Sequence, residues 1–258
     1  TQDSLAQSDS GHSRGQLAVV GIGPGNLEDM TIKAYNTLLA ADVIVGYKTY
    51  LKLIEPLVEG KEIIGTGMTK EVERCLNALE KAKEGKKVAV VSSGDPGVYG
   101  MAGLILELAE EQNLWDQVNI SVVPGVTAAS AGAAVLGAPL MHDFSVISLS
   151  DLLTPWDLIT KRIEAAAASD YVIVLYNPKS HKRVEHIHEA QKIIQKHRSG
   201  DTPVGVVKNA LRPGEEMWLS NLANFTQLPI DMFTVIIIGN SQSKKSQNWM
   251  ITPRGYSW

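Results

Sequence analysis

The residues best placed to do chemistry in this chain are small ones. Three glycine- and alanine-rich stretches each follow a short apolar run: residues 21–26 (GIGPGN), 92–103 (SSGDPGVYGMAG) and 122–140 (VPGVTAASAGAAVLGAPL). Loops at the carboxyl ends of buried strands are where α/β proteins bind ligands. The first loop is not a dinucleotide fingerprint, because Asn26 stands at its third glycine position, and no Gly-Lys-Ser/Thr follows to make a P-loop. Pro24 removes a backbone N–H, which stiffens the loop and weakens it as an anion nest. In the second loop, Gly94, Gly97, Gly100 and Gly103 let a ligand approach the backbone closely, and Asp95 is the only charge. Asp95 can accept from ribose hydroxyls, or cap the following helix with Pro96 at its first position. In the third, Thr127 heads a run of small residues that suits a flat ligand or a close helix–helix contact equally well. Small-residue loops with no phosphate signature point to a nucleoside that lacks phosphates, and S-adenosylmethionine fits that description.

Other residue types narrow the chemistry further. Cys75 is the only cysteine, which excludes an intramolecular disulfide and a cysteine-cluster metal site. His181, His186 and His188 look like a metal cluster. Yet His181 reads as heading a helix, and His186 and His188 lie two apart on opposite sides of it, so no protein-bound metal is expected. With 28 acidic and 24 basic residues the net charge is −4, which argues against general nucleic-acid binding. No run of about 18 apolar residues marks a transmembrane helix, and no signal peptide opens the chain, so a soluble cytoplasmic protein without a membrane partner is expected. Residues 1–15 are polar and begin without Met; they read as a disordered linker or the join to an upstream segment.

The elements that must carry these loops alternate. Apolar runs at 17–22, 43–45, 61–64, 87–93 and 119–123 read as strands buried on both faces. Between them, Ile32, Tyr35, Leu38 and Leu39, then Val72, Cys75, Leu76, Leu79 and Ala82, recur at helical spacing. Gly85 is a helix-stop residue, and 103–113 forms a further helix. Strands alternating with helices predict a parallel sheet covered on both faces. The second half reads as strands at 144–148, 171–176, 204–208 and 234–238, with helices at 155–168 and 181–197. Residues 215–229 break the alternation with a possible hairpin, so its sheet is expected to be mixed. Pro124–Gly125 marks the joint, giving an N-terminal α/β domain over 16–123 and a C-terminal α/β domain over 124–258.

In order and spacing, the GPG loop, GDPGVYG, PGVTAASAGAA, LYNP (175–178) and VIIIGNS (235–241) resemble the motifs of the tetrapyrrole methylase family. The resemblance covers residues 17–258. GYKTYL (46–51), GAPLMHDFSVISLSDLLTPW (137–156), LYNPKS and ITPRGY (251–256) are most similar to the branch that methylates carbon 17 of a corrinoid precursor and contracts the ring. A sister methylase acting on carbon 11 and a corrinoid carrier domain stay open as alternatives. The resemblance implies the two-domain fold with a cofactor cleft between the domains, a homodimer, and a corrinoid tetrapyrrole substrate.

Carried over by motif, Pro24, Gly94, Asp95, Val98, Thr127, Ala128, Tyr176, Asn177, Ala210 and Thr252 are implied to contact S-adenosylmethionine, largely through backbone groups. Methyl transfer from a sulfonium is an in-line displacement that disperses charge, so orientation and water exclusion suffice and no metal is needed. Ring contraction asks for a base. One related methylase has an Asp where Tyr47 stands, and an unperturbed phenol (pKa about 10) is a poor base at neutral pH. His142, with an unperturbed imidazole pKa near ~6.5, is the other proton-transfer group. Asp143 can orient it, and Asp151 reads as a helix-start residue. The substrate is polyacidic, so Lys48, Lys179, Arg183, Arg212 and Arg254, beside the motif loops, are expected to pair with its carboxylates.

Overall fold

Residues 17–22 carry no polar face, so a strand made from them must be covered on both sides. A computed structural model describes residues 13–258, and there the run forms β1 (Gly15–Gly21), buried along nearly its whole length. The linker expected over 1–15 lies outside the described residues up to residue 12. Gly15 already pairs with Val118, and Arg14 Nε donates to the Asp116 carbonyl at 3.0 Å.

The described residues divide into two compact units: residues 13–22 with 30–125, and residues 23–29 with 126–258. The first unit continues from β1 through α1 (Ile32–Ala40), β2 (Val43–Tyr47), the short helices α2 (Lys48–Leu51) and α3 (Glu55–Val58), β3 (Glu62–Thr66), α4 (Glu71–Lys83), β4 (Lys87–Ser92), α5 (Ala102–Glu111) and β5 (Val118–Val123). The strands form one sheet, ordered β3-β2-β4-β1-β5, with every pairing parallel. Alternation along the strands splits the core in two. Leu17, Val19, Val43, Val45, Val88 and Val90 meet Cys75, Leu79 and Ile105 from α4 and α5 on one face. Ala18, Val20, Ile44, Ala89 and Val91 meet Ala34, Leu38, Leu51 and Leu57 on the other.

Two helix faces differ from the sequence expectation. On α1, Leu38 faces the core as expected, but Ile32 is 80% exposed, Tyr35 and Leu39 are also exposed, and Ala34 joins Leu38 on the buried side. On α4, Val72 is exposed, and the buried stripe is Arg74, Cys75, Ala78, Leu79 and Ala82.

The second unit holds α6 (Ala128–Leu136), β6 (Gly137–Ala138), β7 (Phe144–Ser148), α7 (Trp156–Ala168), β8 (Val172–Tyr176), α8 (His186–Gln195), β9 (Pro203–Lys208), β10 (Glu216–Asn221), β11 (Thr234–Ile238), β12 (Lys244–Ser246) and β13 (Trp249–Ile251). Its main sheet runs β10-β9-β11-β8-β7, parallel between β7 and β8 and antiparallel elsewhere, so it is mixed. The hairpin expected within 215–229 is not there: that stretch supplies a single strand, β10, which pairs antiparallel with β9 before it, and then a short turn at Phe225–Gln227. A small sheet, β12-β13-β6, was not foreseen, because its strands have only two or three residues. Nor does α8 begin at His181: residues 181–185 form turns, and the helix starts at His186.

Candidate functional site

The carboxyl ends of β4, β1 and β5 meet at three glycines. A Cβ on Gly125 would lie 2.2 Å from the Gly94 carbonyl oxygen, and one on Gly21 would lie 2.6 Å from the same atom. No side chain fits at either position, and Gly94 itself sits in the left-handed region at φ +64°. Asp95 fastens this meeting point. Its Oδ1 accepts from the Gly97 N–H at 2.8 Å and its Oδ2 from the Gly125 N–H at 3.1 Å. Asp95 therefore does not cap a helix. The next helix begins only at Ala102, and the carboxylate instead ties the loop after β4 to the segment after β5. The Val98 N–H is also committed, donating to the Asp95 carbonyl at 3.3 Å. The loop carries no basic side chain and its Gly97 and Val98 N–H groups are already engaged, which suits a sugar and a sulfonium better than a phosphate.

Tyr47 ends β2, the neighbour of β4. Its ring meets Tyr50 edge-on at 5.1 Å, and the Arg74 guanidinium lies 5.9 Å from its centroid. Lys48, the next residue, is exposed. A groove of about 640 Å³ borders the opposite, amino-terminal ends of β1 and β4, lined by Gln16, Ile32, Lys87 and Asn119 among others. None of the expected site residues belongs to it.

In the second unit, Thr127 and Tyr176 come together. The Tyr176 hydroxyl accepts from the Ala129 N–H at 2.6 Å and lies 2.5 Å from Thr127 Oγ1. Thr127 is the N-cap residue of α6, with Ala128 first in the helix, but its side chain makes no capping bond; the phenol supplies that acceptor. The body of α6 uses its small residues for packing. A Cβ on Gly132 would lie 2.6 Å from Val235 Cγ1, and one on Gly205 of β9 2.3 Å from Leu136. The close-packing alternative thus accounts for the helix body.

Asn177 follows Tyr176 in a left-handed conformation, φ +49°. Its Nδ2 donates to Ser148 Oγ at 3.0 Å, and its carbonyl accepts from Arg183 Nη1 at 2.6 Å. Burial lowers the pKa of Arg183. Ala210 sits between Asn209 and Leu211, both left-handed. Asn209 Oδ1 accepts from Arg212 Nη2 at 2.8 Å and Nε at 3.2 Å, while the guanidinium also lies over Phe233. Arg183 and Arg212 therefore shape the loops that carry Asn177 and Ala210. Lys179 is half-buried, Arg254 is exposed in the tail, and His142 is exposed in the turn before β7. Pro24 is half-buried in a loop fixed by left-handed Gly23 and Gly25. Thr252 is fully buried; its N–H donates to Ala138 and its hydroxyl lies 2.7 Å from Ser243 Oγ.

Asp151 does not start a helix. Helix α7 begins at Trp156, and Asp151 Oδ2 instead meets His186 Nε2 at 2.9 Å, a contact that lowers its carboxyl pKa. Trp156 stacks on His186 at 3.9 Å and donates Nε1 to Glu189 at 2.7 Å. Sequence reasoning missed this cluster because its members lie more than thirty residues apart. It also missed Arg74, whose one signal was a charge on a helix stripe otherwise made of Cys75, Ala78, Leu79 and Ala82.

Comparison with known proteins now bears on these loops. The family model described as Tetrapyrrole (Corrin/Porphyrin) Methylases matches residues 16–226. The chain belongs to the tetrapyrrole methylase family. It is 50% identical over 241 residues to the probable cobalt-factor III C(17)-methyltransferase of Salmonella typhimurium, covering 93% of this chain and 99% of that one. It is also 50% identical over 246 residues to the cobalt-factor III methyltransferase of Priestia megaterium. There it covers 94% of this chain and spans only 45% of the relative. Among solved structures, the methyltransferase CobJ is 36% identical with a TM-score of 0.88, covering 93% of this chain and all of that one. Uroporphyrin-III C-methyltransferase from Thermus thermophilus, solved with S-adenosylhomocysteine, is 25% identical with a TM-score of 0.65, covering 87% of this chain and 92% of that one. Among the described residues, no helix is long and apolar enough to cross a membrane.

Proposed function

We propose that this methylase uses S-adenosylmethionine to methylate carbon 17 of a corrinoid precursor, cobalt-factor III or precorrin-3B, with contraction of the macrocycle, in cobalamin biosynthesis. The observation that carries the reading is the Gly21–Gly94–Gly125 meeting point fastened by Asp95. It makes a rigid, phosphate-averse cradle at three strand ends in a chain 50% identical, over 93% of its length, to a probable cobalt-factor III C(17)-methyltransferase. When bound, the cofactor supplies an electrophilic methyl group. To its binding we assign Gly94 and Asp95, at the ribose or methionine end, Thr127, Ala128, Tyr176, Asn177 and Ala210, at the nucleoside, and Pro24, Val98 and Thr252. Fixing the methyl group on the line of attack and excluding water supplies the rate. Tyr47 and His142 are the groups we assign to proton transfer during contraction. Lys48, Lys179, Arg183, Arg212 and Arg254 provide positive charge for a polyacidic substrate. The reading includes a cytoplasmic homodimer, which light scattering of the purified protein tests.

The deciding experiment incubates the protein with cobalt-factor III and methyl-labelled S-adenosylmethionine. The expected product carries one more methyl group, at carbon 17, and a contracted ring, with one S-adenosylhomocysteine released per turnover. Methylation at carbon 11 would assign the chain to a sister activity. Tetrapyrrole binding without S-adenosylhomocysteine release would make it a carrier.

A further inference from the structure

Arg74 is 4% exposed, and its guanidinium has no acidic partner. Nε donates to Thr66 Oγ1 at 2.8 Å, Nη2 to the Gly67 carbonyl at 3.1 Å, and Nη1 to Met101 Sδ at 3.5 Å. The Tyr47 ring lies alongside at 5.9 Å. No ion pair among the described residues includes it; Glu73, on the same helix, is held by Lys70, and Glu71 makes no salt bridge to it. A guanidinium has five N–H donors. Here three are engaged, all by neutral acceptors, and one of those is a thioether, a weak acceptor. Buried charges are ordinarily paired. Arg198, the other buried arginine among the described residues, is likewise held by three neutral acceptors, but all three are carbonyls, of Gly239, Ala166 and Tyr171, and none is a thioether.

The position adds a second argument. Thr66 ends β3, Tyr47 ends β2, and Met101 closes the loop that follows β4. These are three adjacent strands of the parallel sheet, so the unneutralised charge sits at their carboxyl ends, where such sheets take ligands. Met101 is half-buried, unbranched and flexible, so it can leave Nη1 at little cost.

We infer that Arg74 anchors one carboxylate side chain of the tetrapyrrole, and that the Met101 thioether covers the guanidinium until that carboxylate displaces it. The carboxylate takes the free N–H groups of Nη1 and Nη2 side by side, the fork geometry that arginine favours. Thr66 and Gly67 hold the guanidinium plane from its other edge. The inference rests on the corrinoid reading above, since it needs an acidic macrocycle.

Three variants test it: Arg74→Met, Arg74→Lys and Met101→Glu. Each is assayed for S-adenosylhomocysteine affinity by calorimetry, for KM and kcat with cobalt-factor III, and for thermal stability. Arg74→Met is expected to raise KM by about tenfold or more while S-adenosylhomocysteine affinity stays within about twofold. Arg74→Lys, which keeps the charge and loses the fork, falls between the two. Met101→Glu supplies an internal carboxylate. It is expected to raise the melting temperature and weaken cobalt-factor III binding by a similar factor, which a packing role for Arg74 would not produce. Should Arg74→Met fail to fold, Met101→Glu and Arg74→Lys decide the matter. Unchanged KM in the folded variants, with wild-type turnover intact, overturns the anchor and leaves the proposed function standing. Failure of the wild-type protein to bind cobalt-factor III overturns both.

Discussion

The Tyr176 phenol closes the first turn of α6 by accepting from the Ala129 amide at 2.6 Å, and in doing so lies 2.5 Å from Thr127 Oγ1. One hydroxyl at the end of a strand thus sets both the start of a helix and the rotamer of the residue before it. Tyr176→Phe leaves the buried Ala129 N–H without that acceptor. The expected loss is about 1–2 kcal/mol of stability, read by urea denaturation. A fall in S-adenosylhomocysteine affinity should accompany it, because Thr127 is no longer held. Wild-type values for both would remove the phenol from either role.

Both Asp95 oxygens accept from backbone N–H groups, Gly97 on one side and Gly125 on the other. An amide at this position must turn an NH₂ toward one of those donors. Asp95→Asn, although isosteric, should therefore be nearly as damaging as Asp95→Ala, each weakening cofactor binding by about 1–3 kcal/mol. Calorimetry with S-adenosylhomocysteine separates the cases. Full affinity in the Asn variant would mean that the carboxylate does not hold the loop.

Cys75 lies in the core between α4 and the sheet, and burial pushes its thiol up to about 11. The thiolate is the reactive form, so the native protein should resist alkylation and disulfide reagents at pH 7.5. One thiol should appear per chain on denaturation. Rapid labelling of the folded protein would contradict the packing of α4.

Lys208 Nζ meets Asp231 Oδ2 at 2.8 Å. Burial works to raise the Asp231 carboxyl, but the Lys208 ammonium, the Phe233 N–H and the Thr234 hydroxyl together outweigh it, and its pKa falls below 3.8. The hydrogen bond and charge of Asp231 raise Lys208 above 10.5. The carboxylate's contribution is present above its unfolded pKa and is lost as pH falls through the folded one. That of the ammonium is present below 10.5 and is lost as pH rises through its folded value. The pair thus supports the fold between about pH 4 and 10.5. Asp231→Asn should flatten both flanks of a stability–pH curve, and an unaltered acid flank would show that other carboxylates dominate there.

The two five-stranded sheets were legible because their signal is local. Val19, Val45 and Val90 belong to apolar runs that admit no exposed face, and the glycine loops punctuate those runs at the right ends. Helix facing was less legible. Ile32 outranks Ala34 in hydrophobicity, yet Ala34 shares the buried stripe with Leu38 while Ile32, at the start of the helix, is exposed. The site divides in the same way. Asp95, Thr127 and Tyr176 stood out through their motifs, whereas their actual partners, Gly125 and Ala129, act through backbone amides that no residue type announces. The Asp151–His186 contact and the isolation of Arg74 depend on which distant segments fold back on each other, and spacing along the chain does not encode that.

The contact of Gly21, Gly94 and Gly125 has a consequence for how this enzyme can change over time. Most surface loops drift one residue at a time, but here the smallest possible side chain on Gly21 or Gly125 collides with main-chain atoms of another loop, so there is no tolerable first step. Mutational libraries should therefore come back empty at these two positions while accepting variety at Gly67, where an added methyl meets nothing. New substrate preferences in this scaffold must then arise from the surrounding side chains, with the junction inherited unchanged.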